Sequence, residues 1–453
     1  MEKLNRIKIS ENSKKALFFI YSLLLLIVSF VSSSVYASIF IFFVYFISVL
    51  LTFNKGFLSD PRILFVGFFF LYSTFYPFRV VLTGISLVEI DFYLLNNSVN
   101  YAFVGAITFV TVCNLFIDEK VASKKISLLH KKNKFLTSER IILFSLFAIV
   151  LIGLYEVITS GATSKRELTG NTGIIPQLAY FSSLMIIVCI ALRITRINKK
   201  IYKDKVTLSL FAFFLFFLFA TGERDTVFRV AIISLLVFFD KNGKGKSHIV
   251  LLLIFGAAIV VPMSQAFKAI FLVGELNLPS IGAETILNNE FISASRNLYV
   301  LQLYGVNHDL YFIYTDFVRA FVPTIFISDF DITSTNQWFH NVYRQEHGLS
   351  GSSGWGFGMI AQGFLIGGLP GIILLMGFYS SILTFFFNRK YKSVYSYVFY
   401  ILMLITAIYC IRADLANFLS QVFKITGLMI VVAMVVHNLF KKNIFKTYLT
   451  SKV

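Results

Sequence analysis

Charge is scarce in this chain: of 453 residues only 14% are Asp, Glu, Lys or Arg, while 57% are hydrophobic. The mean hydropathy of +0.77 lies far above that of a soluble globular domain, which excludes water as the main solvent. Acidic residues are the scarcest charged class, 23 against 41 Lys and Arg, for a net charge of +18. Cysteine is nearly absent, and Cys113, Cys189 and Cys410 sit inside apolar runs without disulfide-framework or metal-site spacing. Packing roles are expected for all three, with no redox or zinc chemistry. A Walker loop, a Rossmann fingerprint, an HExxH helix and a serine-hydrolase elbow are also missing, which excludes the ATPases and proteases that depend on them and predicts no cofactor.

What is present is a succession of long apolar runs. Segments such as 16–33, 99–116 and 415–440 match the ~20 apolar residues that cross a ~30 Å hydrocarbon core. The first is read as a retained helix rather than a secretory signal, because no small-residue cleavage site follows it. The expected fold is an all-α polytopic integral membrane protein with about twelve spans, near 16–34, 36–53, 63–83, 99–117, 141–159, 175–192, 206–221, 226–240, 249–266, 357–387, 393–411 and 415–438. Every second connection is then basic, as cytoplasmic loops are, which places both termini in the cytoplasm. The organisation predicted is nine helices in 1–266, one large external loop at 267–356 and three helices in 357–453. The aromatic residues of that loop, Tyr299 and Tyr311 among them, suggest amphipathic helices against the membrane surface. Because the positive charge tracks topology, no nucleic-acid partner is expected; membrane lipid is the surrounding partner.

Lysine dominates the cytoplasmic cations, and arginine dominates the remainder: Arg79, Lys165, Arg166, Arg224, Arg229, Lys268, Arg296, Arg319, Arg344, Arg412 and Lys424. Only guanidinium offers a permanently charged planar fork for phosphate or carboxylate, so the outer side reads as built for an anion. The plainer reading is that arginine snorkels well and pairs with external acids.

Several constellations stand out. The turn Thr221-Gly222-Glu223-Arg224-Asp225-Thr226, followed by Arg229, joins two arms read as about fifteen residues each, short of the core thickness, and so predicts a recessed turn. Asp225 and Arg229 are spaced to pair on one helix face, which leaves Arg224 at a helix N-terminus where an anion is favoured. A second turn, Ile411-Arg412-Ala413-Asp414, repeats the setting, with Asp414 read either as an N-cap or as a functional acid. Asp316 and Arg319 are spaced to pair with each other. His340, Asn341, Arg344, Glu346 and His347 precede the glycine-rich run 348–356, which gives a candidate base, a cation and a flexible backbone together, although a loop histidine is also ordinary polar surface. The acid pairs Glu89/Asp91 and Asp329/Asp331 come without further obvious ligands, and no metal is predicted.

With these residues in view the chain resembles, over nearly its whole length, the O-antigen polymerase and ligase families of bacterial surface-polysaccharide assembly, most closely the oligosaccharide repeat unit polymerases. The likeness rests on the helix layout, the dominant external loop, the turn 220–226, the stretch from Phe321-Val322-Pro323 to Gly363-Phe364-Leu365-Ile366-Gly367-Gly368-Leu369-Pro370-Gly371, and Arg412-Ala413-Asp414-Leu415-Ala416-Asn417-Phe418. His340-Asn341 with Gly351 and Gly354 also meets a ligase pattern, whereas Gly-Phe-Gly at 356–358 and Gln-Gly-Phe at 362–364 stand where many polymerases carry Gly-Glu and Asn-Phe-Gly. The resemblance implies a glycosyltransferase of the bacterial inner membrane. It would move a glycan from undecaprenyl pyrophosphate to a hydroxyl of another lipid-linked repeat unit. Arg224, Arg229 and Arg412 would steady the leaving pyrophosphate, His340, Asp316 or Asp414 would take the acceptor proton, and Arg319, Arg344 and Arg166 would hold glycan or phosphate. A chain-length regulator and a flippase are the protein partners implied. A ligase acting on lipid A core and a polysaccharide transporter or flippase are the alternatives.

Overall fold

The computed structural model describes residues 11–53, 58–122, 136–159, 174–196, 224–242, 249–256, 291–322, 332–349 and 356–435, with isolated positions 205, 208, 209, 212, 259 and 438. Every regular element among the described residues is helical. Short turns at Glu119–Ala122 and Cys410–Arg412 aside, these are in chain order α1 (Glu11–Val31), α2 (Val35–Phe53), α3 (Pro61–Thr83), α4 (Phe92–Phe116), α5 (Leu136–Thr159), α6 (Ile174–Arg196), α7 (Arg224–Asn242), α8 (Ile292–Tyr304) and α9 (Tyr311–Phe321). Then α10 opens as Thr335–Trp338, widens into a π-turn at Phe339–Tyr343 and ends with Arg344–Glu346. The last three are α11 (Met359–Arg389), α12 (Val394–Tyr409) and α13, which starts as Leu415–Leu419 and passes through a π segment, Ser420–Gly427.

Seven stretches among the described residues are long and apolar enough to cross a membrane: Asn12–Val31, Val35–Phe53, Pro61–Thr83, Phe92–Phe116, Met359–Arg389, Val394–Arg412 and Leu415–Val435. The chain is an all-α, multi-pass membrane protein. The expected spans at 141–159 and 175–192 fall inside α5 and α6, whereas those at 206–221 and 249–266 lie largely outside the described residues. One expectation changes. Helix α7 has 19 residues rather than about fifteen, hence a length of about 28 Å, so the recessed turn loses the short returning arm it was inferred from.

The chain begins and ends its helices with recognisable chemistry. Asp60 caps α3 by accepting from the Arg62 N–H, Pro61 occupies the first turn, and Gly84 closes the helix at φ 66, a left-handed conformation that favours glycine. At the Asp60 end the Arg62 side chain, fully buried, binds both oxygens of Asp60, the Asn114 amide oxygen at 3.0 Å and Glu119 at 2.8 Å. Lys390 donates to Ser59 at 2.9 Å, Tyr397 donates to Asp240 at 3.0 Å, and Lys15 donates to the Asn114 carbonyl at 2.7 Å. Thus the ends of α4, α7 and α11 and the starts of α1, α3 and α12 meet at one pole of the bundle. Arg62 and Lys390, which the spans expected at 63–83, 357–387 and 393–411 leave in basic connections, are instead interior ties.

At the opposite pole α8 departs from expectation. It does not lie on a surface: Ile292 through Leu301 are all buried, packed against α3, α4 and α11. With 13 residues it is about 20 Å long, too short to span. The Phe291 ring packs tilted against Tyr72, midway along α3, while the Tyr299 hydroxyl donates to the Glu89 carbonyl at 2.7 Å, so α8 runs from mid-bundle to this second pole. Helix α9, by contrast, does expose Tyr311, Tyr314 and Phe321 while burying Thr315 and Asp316, an apolar-out arrangement suited to lipid.

The expected span at 357–387 is also broken. Gly367 and Gly368 leave helical geometry, and Gly368 has φ 60. A Cβ on Gly363 would lie 2.7 Å from the Ile372 Cα, although nine residues of straight helix separate such atoms by about 13 Å. The arm 359–366 is therefore folded back on the arm that follows. Gly-Gly two residues before Pro370 explains the break, since neither glycine resists it and proline cannot donate to the helix ladder.

Candidate functional site

The pole opposite Arg62 and Lys390 is organised around the start of α10. A helix start exposes unpaired N–H groups and a partial positive charge, and here three neighbouring side chains meet them. Thr335 N–H donates to Asp316 Oδ1 at 2.9 Å, Asn336 N–H to Asp414 Oδ2 at 3.0 Å, and Gln337 N–H to Ser334 Oγ at 3.3 Å. Asp316 Oδ2 also accepts from the Thr335 hydroxyl at 3.0 Å and from Gln362 Nε2. Gln362 Oε1 in turn accepts from the Leu415 N–H at 2.8 Å, and Asp414 is the N-cap of α13, accepting from Asn417 N–H at 2.9 Å. Both carboxylates are fully buried. Burial first, and the neighbouring Asp414 second, push the Asp316 carboxyl up to about 7.

The local pair expected between Asp316 and Arg319 does not form. Asp316 is committed elsewhere, its Thr335 N–H and hydroxyl donors from α10 and its Gln362 amide donor from α11 outweighing one half-exposed guanidinium, while Arg319 donates to the Ile332 carbonyl at 2.5 Å. Lys424, from the π segment of α13, donates to the carbonyls of Arg319 and Val322 at 3.2 and 2.8 Å and so closes the C-terminus of α9. These contacts make Asp316 and Lys424 structural ties in this arrangement.

Three residues and more into α10, His340 and Arg344 meet: Arg344 Nη1 lies 3.0 Å from His340 Nδ1, and Arg344 Nη2 donates to the Leu349 carbonyl at 3.1 Å. A guanidinium only donates, so Nδ1 must accept, and a neutral His340 carries its proton on Nε2. In this arrangement His340 offers a hydrogen-bond donor; to act as the expected base it must first leave Arg344. His347 stacks on Tyr304 with centroids 4.9 Å apart and packs against Tyr343.

Helix α10 rests on α8 through the Tyr343 hydroxyl, which donates to the Gly305 carbonyl at 2.8 Å, and α8 meets α3 where Tyr76 and Tyr299 rings lie 5.9 Å apart. Arg79, Arg296 and Arg344 are carried to this junction, one from each helix. Burial pushes the Arg296 guanidinium down to about 10, helped by the positive charges of Arg344 and Arg79. Two further arginines meet nearby. Arg229 Cζ is 5.3 Å and Arg412 Cζ 4.9 Å from the Tyr409 ring centroid, both within cation–π range. Arg229 is held by Gln421 Oε1 at 2.8 Å. The two arginine groups adjoin, because a Cβ on Gly356 would sit 2.7 Å from the Arg412 carbonyl oxygen while the Gly356 carbonyl accepts from Asn297, next to Arg296, at 2.6 Å.

The sequence therefore placed Arg229, Arg412, Arg344 and His340 at one pole, and the structure brings them there as two neighbouring groups. Arg224 opens α7, but its side chain and that of Asp225 lie outside the described residues, as does Arg166. Of the acid pairs, Asp329 and Asp331 also lie outside, while Asp91 caps α4 by accepting from Tyr93 N–H at 2.8 Å and Leu94 N–H at 3.1 Å. Gln362, Tyr409 and Gln421 were not singled out beforehand; a lone polar residue inside an apolar run was the available signal for the two glutamines. Chemically, the pole concentrates fixed positive charge, aromatic faces and a histidine donor at the edge of a water-poor interior, a setting that favours a phosphate-bearing or acidic ligand. No family model, no curated protein and no solved structure matches the chain.

Proposed function

We propose that this protein polymerises a bacterial surface polysaccharide, joining repeat units carried on undecaprenyl pyrophosphate by glycosyl transfer at the outer face of the inner membrane. The observation that carries the reading is the meeting of Arg229 and Arg412 on one tyrosine, from helices more than 180 positions apart in the chain. Two guanidiniums at one ring raise the local potential where a lipid pyrophosphate would leave, and stabilising that developing charge is worth several kcal/mol in a water-poor site. Neighbouring Arg344 and the Nε2–H of His340 extend the same anion-binding face toward the glycan. The resemblance of the turns at 220–226 and 412–418 to repeat unit polymerases supports the choice of donor.

The topology that goes with it has twelve spans and both ends in the cytoplasm, with Arg62, Lys390 and Asp240 at the inner pole and the arginine groups at the outer. The test is the polysaccharide ladder of a deletion strain complemented with wild type, Arg412→Ala or Arg412→Lys. Wild type restores the ladder and Arg412→Ala stops at a single repeat, at equal protein level. A ladder persisting in the deletion strain refutes polymerisation, and long chains left unattached point to a ligase instead. A transporter is the second reading, favoured by the break at Gly367–Gly368 and the half-length α8, since broken helices around a polar interior recur in that class. Its signature is repeat units retained on the cytoplasmic leaflet of the deletion strain.

A further inference from the structure

Hydrogen bonds in the outer pole run in one direction. Leu415 N–H donates to Gln362 Oε1, Gln362 Nε2 donates to Asp316 Oδ2, and Thr335 donates to both Asp316 oxygens. Gln362 lies on the folded-back arm of α11 and is fully buried, so a single amide side chain ties together the starts of α10 and α13 and the middle of α9. Each of the two tied helices bears part of the cationic face. His340 and Arg344 follow about one and a half and two and a half turns after Thr335 on α10, Arg412 stands three residues before Leu415, and Gln421, the partner of Arg229, lies nearly two turns into α13.

We propose that Gln362 is a positioning residue, whose amide, through Asp316, sets where α10 presents His340 and Arg344 relative to Arg412 and Arg229. The proposal rests on the reading that these cations bind the lipid-linked substrate. Its content is the polarity of the chain of bonds. An amide at 362 fits because one neighbour, Asp316, accepts at Oδ2 while the other, the Leu415 N–H, only donates. Hydrocarbon at this position breaks both links. A carboxylate meets the Leu415 N–H but, once Asp316 is ionised, sets two acceptors face to face there, so its effect is read at alkaline pH, where no proton is left for the two acids to share. An amide at 316 fails in either rotamer, since one of its orientations opposes Gln362 Nε2 and the other opposes the Thr335 N–H. Exchanging the two chemistries together restores every link: the amide at 316 donates to a carboxylate at 362, which still accepts from Leu415.

The experiment uses the full-length protein with Cys113, Cys189 and Cys410 replaced by serine or alanine and a reporter at Val342→Cys. Val342 is exposed on α10 between His340 and Arg344. Maleimide labelling in membranes and the polysaccharide ladder are read for Gln362→Glu, Asp316→Asn, the double variant and Gln362→Leu. An unmet buried donor or acceptor shifts a local equilibrium by about tenfold or more, so each single variant is expected to change the labelling rate by about that factor and to shorten the ladder. The double variant is expected to return both toward wild type. Where the single variants fail to accumulate, recovery of protein level and labelling in the double variant carries the same information. Singles that label like wild type, or a double no better than the worse single, overturn the proposal. If Arg412→Ala and Arg229→Ala both leave the ladder intact, the substrate reading falls, and the labelling alone still decides whether Gln362 positions α10.

Discussion

Replacing Gly371 by alanine puts a methyl carbon 2.2 Å from the carbonyl oxygen of Gly363, eight residues earlier, on the folded-back arm of α11. Ordinary carbon–oxygen approaches are about 3.3 Å or longer, so the two arms must part by about 1 Å. The obstruction is backbone, which no rotamer change relieves, and overpacking of this kind costs about 1–3 kcal/mol. Gly377 in the same helix gives the internal control: a Cβ there meets no heavy atom within 4 Å, and alanine in a helix interior is favoured over glycine by up to about 1 kcal/mol. Gly371→Ala and Gly377→Ala should therefore differ by about 2–4 kcal/mol in opposite directions from wild type, taking the two effects together. Thermal unfolding of the detergent-purified proteins, followed by near-ultraviolet circular dichroism, reads this as a melting temperature several degrees lower for the first and unchanged or higher for the second. Equal melting temperatures would mean that the arms do not touch at Gly363 and Gly371, and the break at Gly367–Gly368 would then need a different geometry.

Titration of Asp316 offers a second check. Its folded-state value, raised to about 7 against about 3.9 for a free aspartate, means the folded chain keeps a proton that the unfolded chain releases. The contribution of this group to stability is fullest below about pH 4 and declines as pH rises through about 7. Asp414→Asn removes one of the two causes and should lower the midpoint seen by infrared spectroscopy of the carboxyl; an unmoved midpoint leaves burial as the sole cause. Arg62→Met strips a buried cation from Asp60, Glu119 and Asn114 and should cost about 3–5 kcal/mol, visible as loss of protein from the membrane, with Arg62→Lys only partly rescuing because a lysine lacks the fork. Tyr343→Phe deletes the hydroxyl bond to Gly305 and should cost about 1 kcal/mol in the same melting assay, with a cost of zero indicating that α10 does not lean on α8 there.

The long spans were legible because apolar length alone marks them, and counting basic loops set Arg229 and Arg412 at one pole, but their meeting on Tyr409 was not legible, since spacing paired Arg229 with Asp225. Helix α8 was not legible. Ser293, Ser295, Arg296 and Asn297 read as the polar content of an external loop, yet all four are buried, since α3, α4 and α11 enclose a helix too short to register as a span. The break in α11 was written in Gly367, Gly368 and Pro370, but the surrounding apolar run concealed that two arms, not one, occupy it. Asp316 and Arg319 misled for a different reason. Spacing along a helix predicts who can pair locally, whereas the start of α10 and Gln362 compete for Asp316 from elsewhere in the chain.

That competition sets an order of assembly. The Asn336 N–H finds its acceptor 78 positions later, on the residue that caps the last described helix. As the chain is synthesised from its N-terminus, α9 and α10 emerge long before Asp414, and until α13 inserts, the start of α10 has only part of its complement of acceptors. The layer around the start of α10 consequently completes last, and a chain stalled or truncated ahead of α13 leaves that helix start short of one of its acceptors.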